Sequence, residues 1–229
     1  FKVSHITGIK SPYAEAEGWF IGCPLTAKQM VELPEEFVMD RIIESGKVAQ
    51  ELGAKIVGLG AFTSIVGDAG ITVAKNLDIA VTSGNSYTVA TAIQGTKQAA
   101  RMMGKDLKEC RAVVVGATGS IGAASVRLLA KEVKHITLVA RHMGPLEELA
   151  QELIEQNHCE VAVSQDIRTS LQEADIVITV TSALDFLIEP GDLKPGAVVC
   201  DVARPRNVSR EVSLQRNDVL VIEGGVINV

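Results

Sequence analysis

The chain has 229 residues, of which 47% are hydrophobic and only 3% aromatic, and its formal net charge is −6. This length supports one large core or two modest ones, and the negative charge argues against non-specific binding to nucleic acid or to an anionic membrane surface. Its longest apolar runs fall far short of the roughly 18 to 20 residues that span a bilayer, so we expect a soluble protein without integral membrane contact.

The first part of the chain alternates short strands with helices, which is typical of an α/β domain. The predicted elements are a short buried strand at Gly18–Cys23, helices at Ala27–Leu33 and Pro34–Leu52, a strand at Lys55–Leu59, a helix at Ile71–Leu77 and a strand at Ile79–Thr82. Polar and glycine-rich loops follow the last two strands, at residues 60–70 and 83–86, where α/β proteins bind ligands.

A long helix, Tyr87–Met103, then leads into a regular second domain. Its predicted elements are Arg111–Val115, Ser120–Glu132, Ile136–Ala140, Leu146–Gln156, Glu160–Val163, a short helix near Ser170, Ile176–Val180, Val198–Asp201 and Val219–Ile222. This order predicts a Rossmann-like, doubly wound parallel sheet. We therefore expect a substrate domain over residues 1–86, a linking helix over 87–104 and a nucleotide-binding domain over 105–229 that lacks its closing helix.

The segment AVVVGATGSIG, residues 112–122, predicts a strand, a glycine turn and the start of a helix. Gly116 permits a tight turn, Gly119 allows backbone N–H groups to approach a pyrophosphate, and Gly122 allows the helix to lie close to the strand. The second strand ends in Ala140 and Arg141, where a NAD site usually has an acid. The alternative for Arg141 is a solvated surface position; we predict NADP rather than NAD.

The motifs GLGAFTS, SGNS, VGATGSIG and EGGVIN follow one another in this order. From about Gly18 onward the chain resembles the long-chain acyl-(acyl-carrier-protein) reductases and the related predicted amino acid dehydrogenases, and more distantly shikimate dehydrogenase. The resemblance implies reduction of an acyl thioester to an aldehyde with NADPH. It also implies a reactive cysteine on a helix beyond Gly224 and Gly225, which no residue of this chain matches.

The expected cofactor contacts lie in one loop and at several strand ends. The resemblance supplies the glycine turn and Gly224, whereas Thr181 and Ser182 are candidates because they follow a predicted strand. The expected cofactor-binding residues are Gly116, Ala117, Thr118, Gly119, Ser120, Ile121, Gly122, Arg141, Thr181, Ser182 and Gly224. His142, beside Arg141, either assists the binding of a 2′-phosphate or is an exposed residue without a role in binding.

Catalysis needs donors for the carbonyl oxygen and a nucleophile. The candidate catalytic residues are Thr63, Ser64, Asn85 and Cys23. The polar residues could instead cap helices, and Cys23 could be a small core thiol like Cys110, Cys159 and Cys200. Asp68 could orient a proton donor or cap a helix.

The four cysteines lack the spacing of a metal site and are few for a disulfide scaffold, so we expect reduced thiols in a cytoplasm and no metal. The four histidines share no common face. The basic segment DVARPRNVSR, residues 201–210, is either a solvated loop or a docking point for phosphopantetheine or an acidic carrier protein. A homodimer is a further expectation.

Two other functions stay open from the sequence. The first is a shikimate-type or amino-acid-type dehydrogenase acting on a small polar acid, for which Lys47, inside a helix, does not clearly supply the required Lys/Asp pair. The second is a nucleotide-binding sensor or non-catalytic subunit, which needs the glycine turn but no reactive residue.

Overall fold

A computed structural model describes residues 1–156, 159–181, 183 and 187–224. The chain divides into two compact units, Phe1–Gly84 and Asn85–Val229. Among the described helices, none is both long enough and apolar enough to cross a membrane.

The first unit begins with an antiparallel hairpin of β1 (Lys2–Lys10) and β2 (Glu15–Ile21). The predicted buried strand at Gly18–Cys23 is therefore wrong in both its bounds and its burial, since Phe20 of β2 is 64% exposed. The physical reason is that β2 pairs only with β1, so this two-stranded ribbon leaves much of its apolar surface uncovered.

The remainder of the first unit follows the predicted order closely. Its elements are helix α1 (Ala27–Glu32), helix α2 (Glu35–Glu51), strand β3 (Ile56–Gly58), helix α3 (Ile71–Lys75) and strand β4 (Ala80–Thr82). Thr26 and Gln29 form a capping box at the start of α1, and Gly53, with φ at +91°, follows the end of α2. Strands β3 and β4 pair in parallel, and buried residues of α2 such as Val38 and Ile42 belong to the core of this unit.

The second unit starts with helix α4 and alternates strands with helices. Its elements are α4 (Asn85–Met102), β5 (Arg111–Val115), α5 (Ser120–Leu129), β6 (His135–Val139), α6 (Met143–Gln156), β7 (Glu160–Ser164), α7 (Ile167–Leu171), β8 (Ile176–Thr179), β9 (Val198–Asp201), α8 (Arg210–Gln215) and β10 (Leu220–Glu223). The six strands are all parallel, in the order β10-β9-β8-β5-β6-β7. The predicted Rossmann-like, doubly wound sheet is confirmed.

Several element boundaries in the second unit differ from the prediction, and one helix was not predicted. Helix α4 starts at Asn85 rather than Tyr87 and packs on α5, β9 and β10 within this unit. Helix α5 ends at Leu129 rather than Glu132, because the Leu129 carbonyl accepts the N–H groups of Glu132 and Val133 and so closes a turn. Helix α8 has no counterpart in the prediction.

Candidate cofactor site

The glycine turn after β5 has the geometry that its spacing predicts. Gly116 has φ at +87°, and a Cβ at this position would lie 3.1 Å from the backbone carbon of Val180. A Cβ on Gly122 would lie only 2.1 Å from the Gly116 carbonyl oxygen. Gly116 thus makes the tight turn, and Gly122 lets α5 lie directly against it.

Gly119 differs from these two glycines because packing within the protein does not require it. A Cβ there would make only an ordinary contact, 3.5 Å from the Gly116 oxygen. Helix α5 also begins at Gly119 without a side-chain cap. An uncapped helix N-terminus behind an exposed glycine fits a phosphate group, because its N–H groups and its dipole face the anion.

The backbone bonds in the turn decide which N–H groups are available. Gly116 and Ala117 both donate to the Val139 carbonyl, at 2.8 and 3.1 Å, and Gly119 donates to the Gly116 carbonyl. The first N–H groups of α5 have no partner inside the helix. Within the described part of the chain, the amides left for an anion in this turn are therefore those of Thr118, Ser120, Ile121 and Gly122.

Asn85 lies beside this turn rather than among the candidate catalytic groups of the first unit. Its side-chain nitrogen donates to the Ser120 hydroxyl oxygen at 2.9 Å. The structure therefore connects Asn85 with the phosphate end of the candidate site. Its role with a substrate carbonyl stays a prediction.

A cavity of about 340 Å³ opens beside the turn. Among its lining residues are Gly116, Thr118, Gly119, Arg141, His142 and Thr181. Arg141 and His142 are exposed, and neither has an ion-pair partner within the residues that the structure describes. The Arg141 carbonyl accepts a hydrogen bond from the Gln165 side chain at 2.5 Å, which holds the backbone while the guanidinium stays available.

Thr181, after β8, is held by a residue that sequence reasoning missed. The side-chain oxygen of Asn207 accepts from the Thr181 hydroxyl at 2.9 Å, from the Thr181 N–H at 3.3 Å and from the Thr179 hydroxyl at 2.7 Å. Asn207 is fully buried. Its place in the basic segment had suggested only a solvated or docking loop, whereas its side chain positions Thr181 at the cavity. Ser182, also predicted to bind cofactor, lies outside the described residues.

Asp201, at the end of β9, anchors the same loop. Its carboxylate accepts the N–H groups of Ala203, Asn207 and Val208, each at 3.0 Å. Burial raises the pKa of Asp201, and these N–H donors act in the opposite direction. Arg204 and Arg206 of the loop both pair with Glu223, whereas Arg210 is exposed.

Gly224 is closely packed, which explains a glycine there without a cofactor. A Cβ at this position would lie 2.6 Å from the Cys200 sulfur and 2.7 Å from Val202, and the Gly224 N–H donates to the Asp201 carbonyl. Its predicted contact with the nicotinamide stays a prediction, and Gly225 lies outside the described residues.

In the first unit, the candidate hydroxyls bond to their own turn. Thr63 donates to the Gly60 carbonyl at 2.7 Å and Ser64 donates to the Ala61 carbonyl at 2.8 Å. Cys23 is half-buried and lines, together with Thr63, a cavity of about 670 Å³. The structure thus brings Cys23 and Thr63 to one cavity.

Asp68 accepts both the N–H and the hydroxyl of Thr72, at 2.9 and 2.7 Å, and these bonds lower the pKa of Asp68. This geometry favours the helix-cap interpretation for Asp68.

Among the described residues, the remaining cysteines and histidines lie in surroundings that favour structural roles. Burial raises the pKa of Cys110, Cys159 and Cys200, which favours their interpretation as core thiols. His5 stacks on Trp19, burial lowers the pKa of His135, and His158 lies outside the described residues. Within the described ranges, no group of three or more metal-ligating side chains could hold a metal ion.

Comparisons with known proteins agree with this geometry. The chain is 32% identical over 228 residues to the aminotransferase PigE of a Serratia species, covering 99% of this chain and 26% of that protein. It is 29% identical over 204 residues to the long-chain acyl-[acyl-carrier-protein] reductase of Synechococcus elongatus, covering 82% of this chain and 55% of that protein. The chain therefore spans about a quarter and about half of these two relatives, and the second confirms the resemblance stated from the motifs.

Solved structures include the shikimate 5-dehydrogenase of Listeria monocytogenes in complex with shikimate and NAD. It shares 18% identity with this chain at a TM-score of 0.46, covering 62% of this chain and 60% of that one. The shikimate / quinate 5-dehydrogenase family model matches residues 97–223, more than half of the chain. The chain belongs to this family.

Proposed function

We propose that this chain binds NADPH and is part of a reductase that converts an acyl thioester, carried by coenzyme A or by an acyl carrier protein, to an aldehyde. The fold is of the NAD(P)-dependent oxidoreductase type. The observation that carries the choice of NADPH is the exposed Arg141 side chain, with His142 beside it, at the cavity beside the glycine turn.

The choice of NADPH follows from charge. A NAD site usually places a carboxylate near the ribose hydroxyls, whereas no acidic residue among those described lines this cavity. A guanidinium without an ion-pair partner can bind the 2′-phosphate through two parallel hydrogen bonds. The 2′-phosphate is the group that distinguishes NADPH from NADH.

We choose a thioester as the substrate because the similarity to the acyl reductase includes both units of the chain. The match to the acyl reductase covers 82% of this chain, whereas the family match starts at residue 97, inside α4 of the second unit. The family match does not include the first unit, so it does not support a small polar acid as the substrate bound there. Lys47, which a shikimate-type reaction would need to pair with an acid, is exposed on α2 and has no acidic partner within the described residues.

The residues divide the chemistry between them. When bound, NADPH would supply a hydride to the carbonyl carbon of a thioester, either the substrate itself or an acyl group already transferred to Cys23 with release of the carrier thiol. The carbon–sulfur bond would break, and the leaving thiolate would take a proton from water. The amides of Thr118, Ser120 and Ile121 would hold the pyrophosphate, and Thr181, fixed by Asn207, would support the nicotinamide ribose.

The candidates for the substrate end keep their predicted roles within this proposal. Cys23 is the candidate nucleophile, and Thr63, Ser64 and Asn85 are the candidate donors to the carbonyl oxygen. Thr63 and Ser64 would first have to release the carbonyls of their own turn, to which both hydroxyls donate.

Calorimetric titration with NADPH and NADH tests the cofactor. We expect NADPH to bind at least tenfold more tightly, and Arg141→Ala to weaken NADPH binding by roughly tenfold or more, because a charge-assisted hydrogen bond contributes about 1.5–3 kcal/mol. NADH affinity should not change in this variant. Arg168→Ala, which removes an exposed arginine outside this cavity, is the matched control. Equal binding of the two cofactors by the unmodified chain would refute the assignment.

Oxidation of NADPH tests the substrate class. The protein is mixed with NADPH and an acyl-coenzyme A, an acyl carrier protein thioester or 3-dehydroshikimate, the ketone that corresponds to shikimate, and the absorbance of NADPH is followed. We expect turnover with a thioester and release of free thiol. Turnover of 3-dehydroshikimate and of neither thioester would instead support the dehydrogenase alternative.

A further inference from the structure

The large cavity of the first unit is bordered by strand edges rather than strand faces. Its lining includes two uninterrupted runs, Glu17–Ile21 and Lys55–Gly60. Successive side chains of a strand point to opposite faces, so a cavity against one face would be lined by alternate residues. Lining by consecutive residues means that the edges of β2 and β3 border the space, which we call the β2–β3 groove.

The backbone of β3 has unused hydrogen-bonding groups at this groove. The Lys55 carbonyl accepts from Ala80 at 3.2 Å, and the Leu59 N–H donates to Thr82 at 2.7 Å. In a parallel pair alternate residues bond to the same neighbour, so the N–H and C=O groups of Ile56 and Gly58 point away from β4 to the groove. No backbone bond to these groups occurs within the described part of the chain.

The floor of the groove leaves room for side chains of an incoming segment. Helix α2 contributes Ile42 and three small residues, Ser45, Gly46 and Ala49, of which Gly46 packs against Leu77. The β3–β4 sheet has only two parallel strands, whereas parallel sheets are normally larger and covered on both faces. Both observations indicate that a further strand belongs beside β3.

Along β3 the unused backbone groups favour a peptide over an alkyl chain. Cys23 and Thr63, the candidate substrate residues, line the same cavity, so a bound peptide would compete with an acyl substrate. An alkyl chain would bury the N–H and C=O groups of Ile56 and Gly58 without partners, at about 1–3 kcal/mol for each group. A peptide strand would satisfy the same groups. We propose that the β2–β3 groove binds an extended peptide strand, which pairs with β3 through Ile56 and Gly58 and turns apolar side chains towards α2.

The proposed source of this strand is polypeptide of the kind that the relatives carry beyond the matched region. Both curated relatives carry more polypeptide than the matched region, which is 26% of one and 55% of the other. Such additional chain is a ready source of the strand in proteins that contain this domain.

The probe for this proposal is a synthetic nonapeptide of alternating Val and Thr with Lys at both ends. Trp19 is the only tryptophan of the chain and lines the groove, so its emission reports binding. Gly58→Pro removes the N–H that faces the groove and leaves the bonds to β4, and Gly58→Ala is the control because its Cβ would meet open space. We expect the peptide to bind the unmodified chain and Gly58→Ala, and to bind Gly58→Pro at least tenfold more weakly.

Hydrogen exchange keeps the proposal testable if Gly58→Pro does not fold. In the unmodified chain the peptide should slow exchange at the amides of Ile56 and Gly58 and leave Val57 unchanged, because only the first two face the groove. Three results would overturn the proposal. These are an unchanged Trp19 emission at millimolar peptide, equal peptide binding by Gly58→Pro and Gly58→Ala, and unchanged exchange at the amides of Ile56 and Gly58 when the peptide is bound.

Discussion

The substitution Gly122→Ala tests how closely helix α5 lies against the glycine turn. The new Cβ would lie 2.1 Å from the Gly116 oxygen, 2.9 Å from the Gly116 carbon and 3.0 Å from the Cα of Ala117. Ordinary contact begins at 3.4 Å, so the helix would have to retreat by about 1.3 Å. All three obstacles are backbone atoms, which cannot move away by changing rotamer.

The magnitude follows from two opposing effects. Alanine favours the helix over glycine by about 1 kcal/mol, whereas overpacking costs about 1–3 kcal/mol and occasionally more. Because the obstacle is backbone, we expect overpacking to prevail and the free energy of unfolding to fall by about 1–2 kcal/mol. For a chain of this size that corresponds to a fall in Tm of about 2–8 °C.

Gly119→Ala is the matched control, and calorimetric titration with NADPH is the second assay. The Cβ at residue 119 would be in ordinary contact, 3.5 Å from the Gly116 oxygen, so Tm should stay within about 2 °C of the unmodified chain. Its NADPH affinity should nevertheless fall at least tenfold, because the methyl group stands where the pyrophosphate approaches. An unchanged Tm in Gly122→Ala, or unchanged NADPH affinity in Gly119→Ala, would refute this account of the turn.

Further predictions concern three charged residues of the second unit. Asp175 bonds to Lys105 at 3.1 Å and Lys194 at 2.8 Å; burial raises its pKa, but these bonds outweigh burial and hold the pKa below 3.8. The ionised Asp175 therefore stabilises the fold above pH 3.8, and this stabilisation is lost as the pH falls through the lowered pKa. In urea unfolding, Asp175→Asn should lower the free energy of unfolding by about 1–3 kcal/mol at neutral pH and leave it unchanged at acid pH. The pKa of Asp201 is raised, so Asp201 stabilises the fold most below pH 3.8 and less as the pH rises through the raised pKa. In the same unfolding experiment, the difference in free energy of unfolding between the unmodified chain and Asp201→Asn should therefore decrease from acid to neutral pH. An increase in this difference would contradict the raised pKa. Arg127→Ala should cost less than about 1 kcal/mol despite the paired bonds to Glu152, because both side chains are largely exposed.

Most of the fold of the second unit could be predicted from local patterns. The β-branched run Val113–Val115, the glycine spacing and the helix-forming stretch after it are consistent with one another, so β5, the turn and the start of α5 follow from neighbouring residues alone. The hairpin was missed because β1 and β2 lack a clear alternation of buried and exposed side chains. The end of α5 depends on the return of the chain to β6, which no local signal marks.

In the candidate site, too, contacts within one short turn could be predicted from the sequence, whereas contacts between distant loops could not. The approach of Gly122 to Gly116 could be predicted from their spacing, since both belong to one short turn. The bond between Asn207 and Thr181 could not, because it joins residues 26 positions apart on the loops that follow β9 and β8. A polar residue shortly after the end of a predicted strand was the available signal, but the neighbouring arginines favoured a solvated loop instead.

The hydrogen bond from Asn85 to Ser120 determines the direction in which the Ser120 hydroxyl can donate. The Ser120 oxygen accepts a hydrogen bond from the Asn85 side-chain amide, so its own O–H points elsewhere and can donate to another acceptor. A bound phosphate oxygen would complete a donor chain in which each hydrogen bond polarises the next. An aspartate at residue 85 would reverse this chain and present the lone pairs of Ser120 to the anion, so the first residue of the second unit determines whether this serine attracts or repels a phosphate.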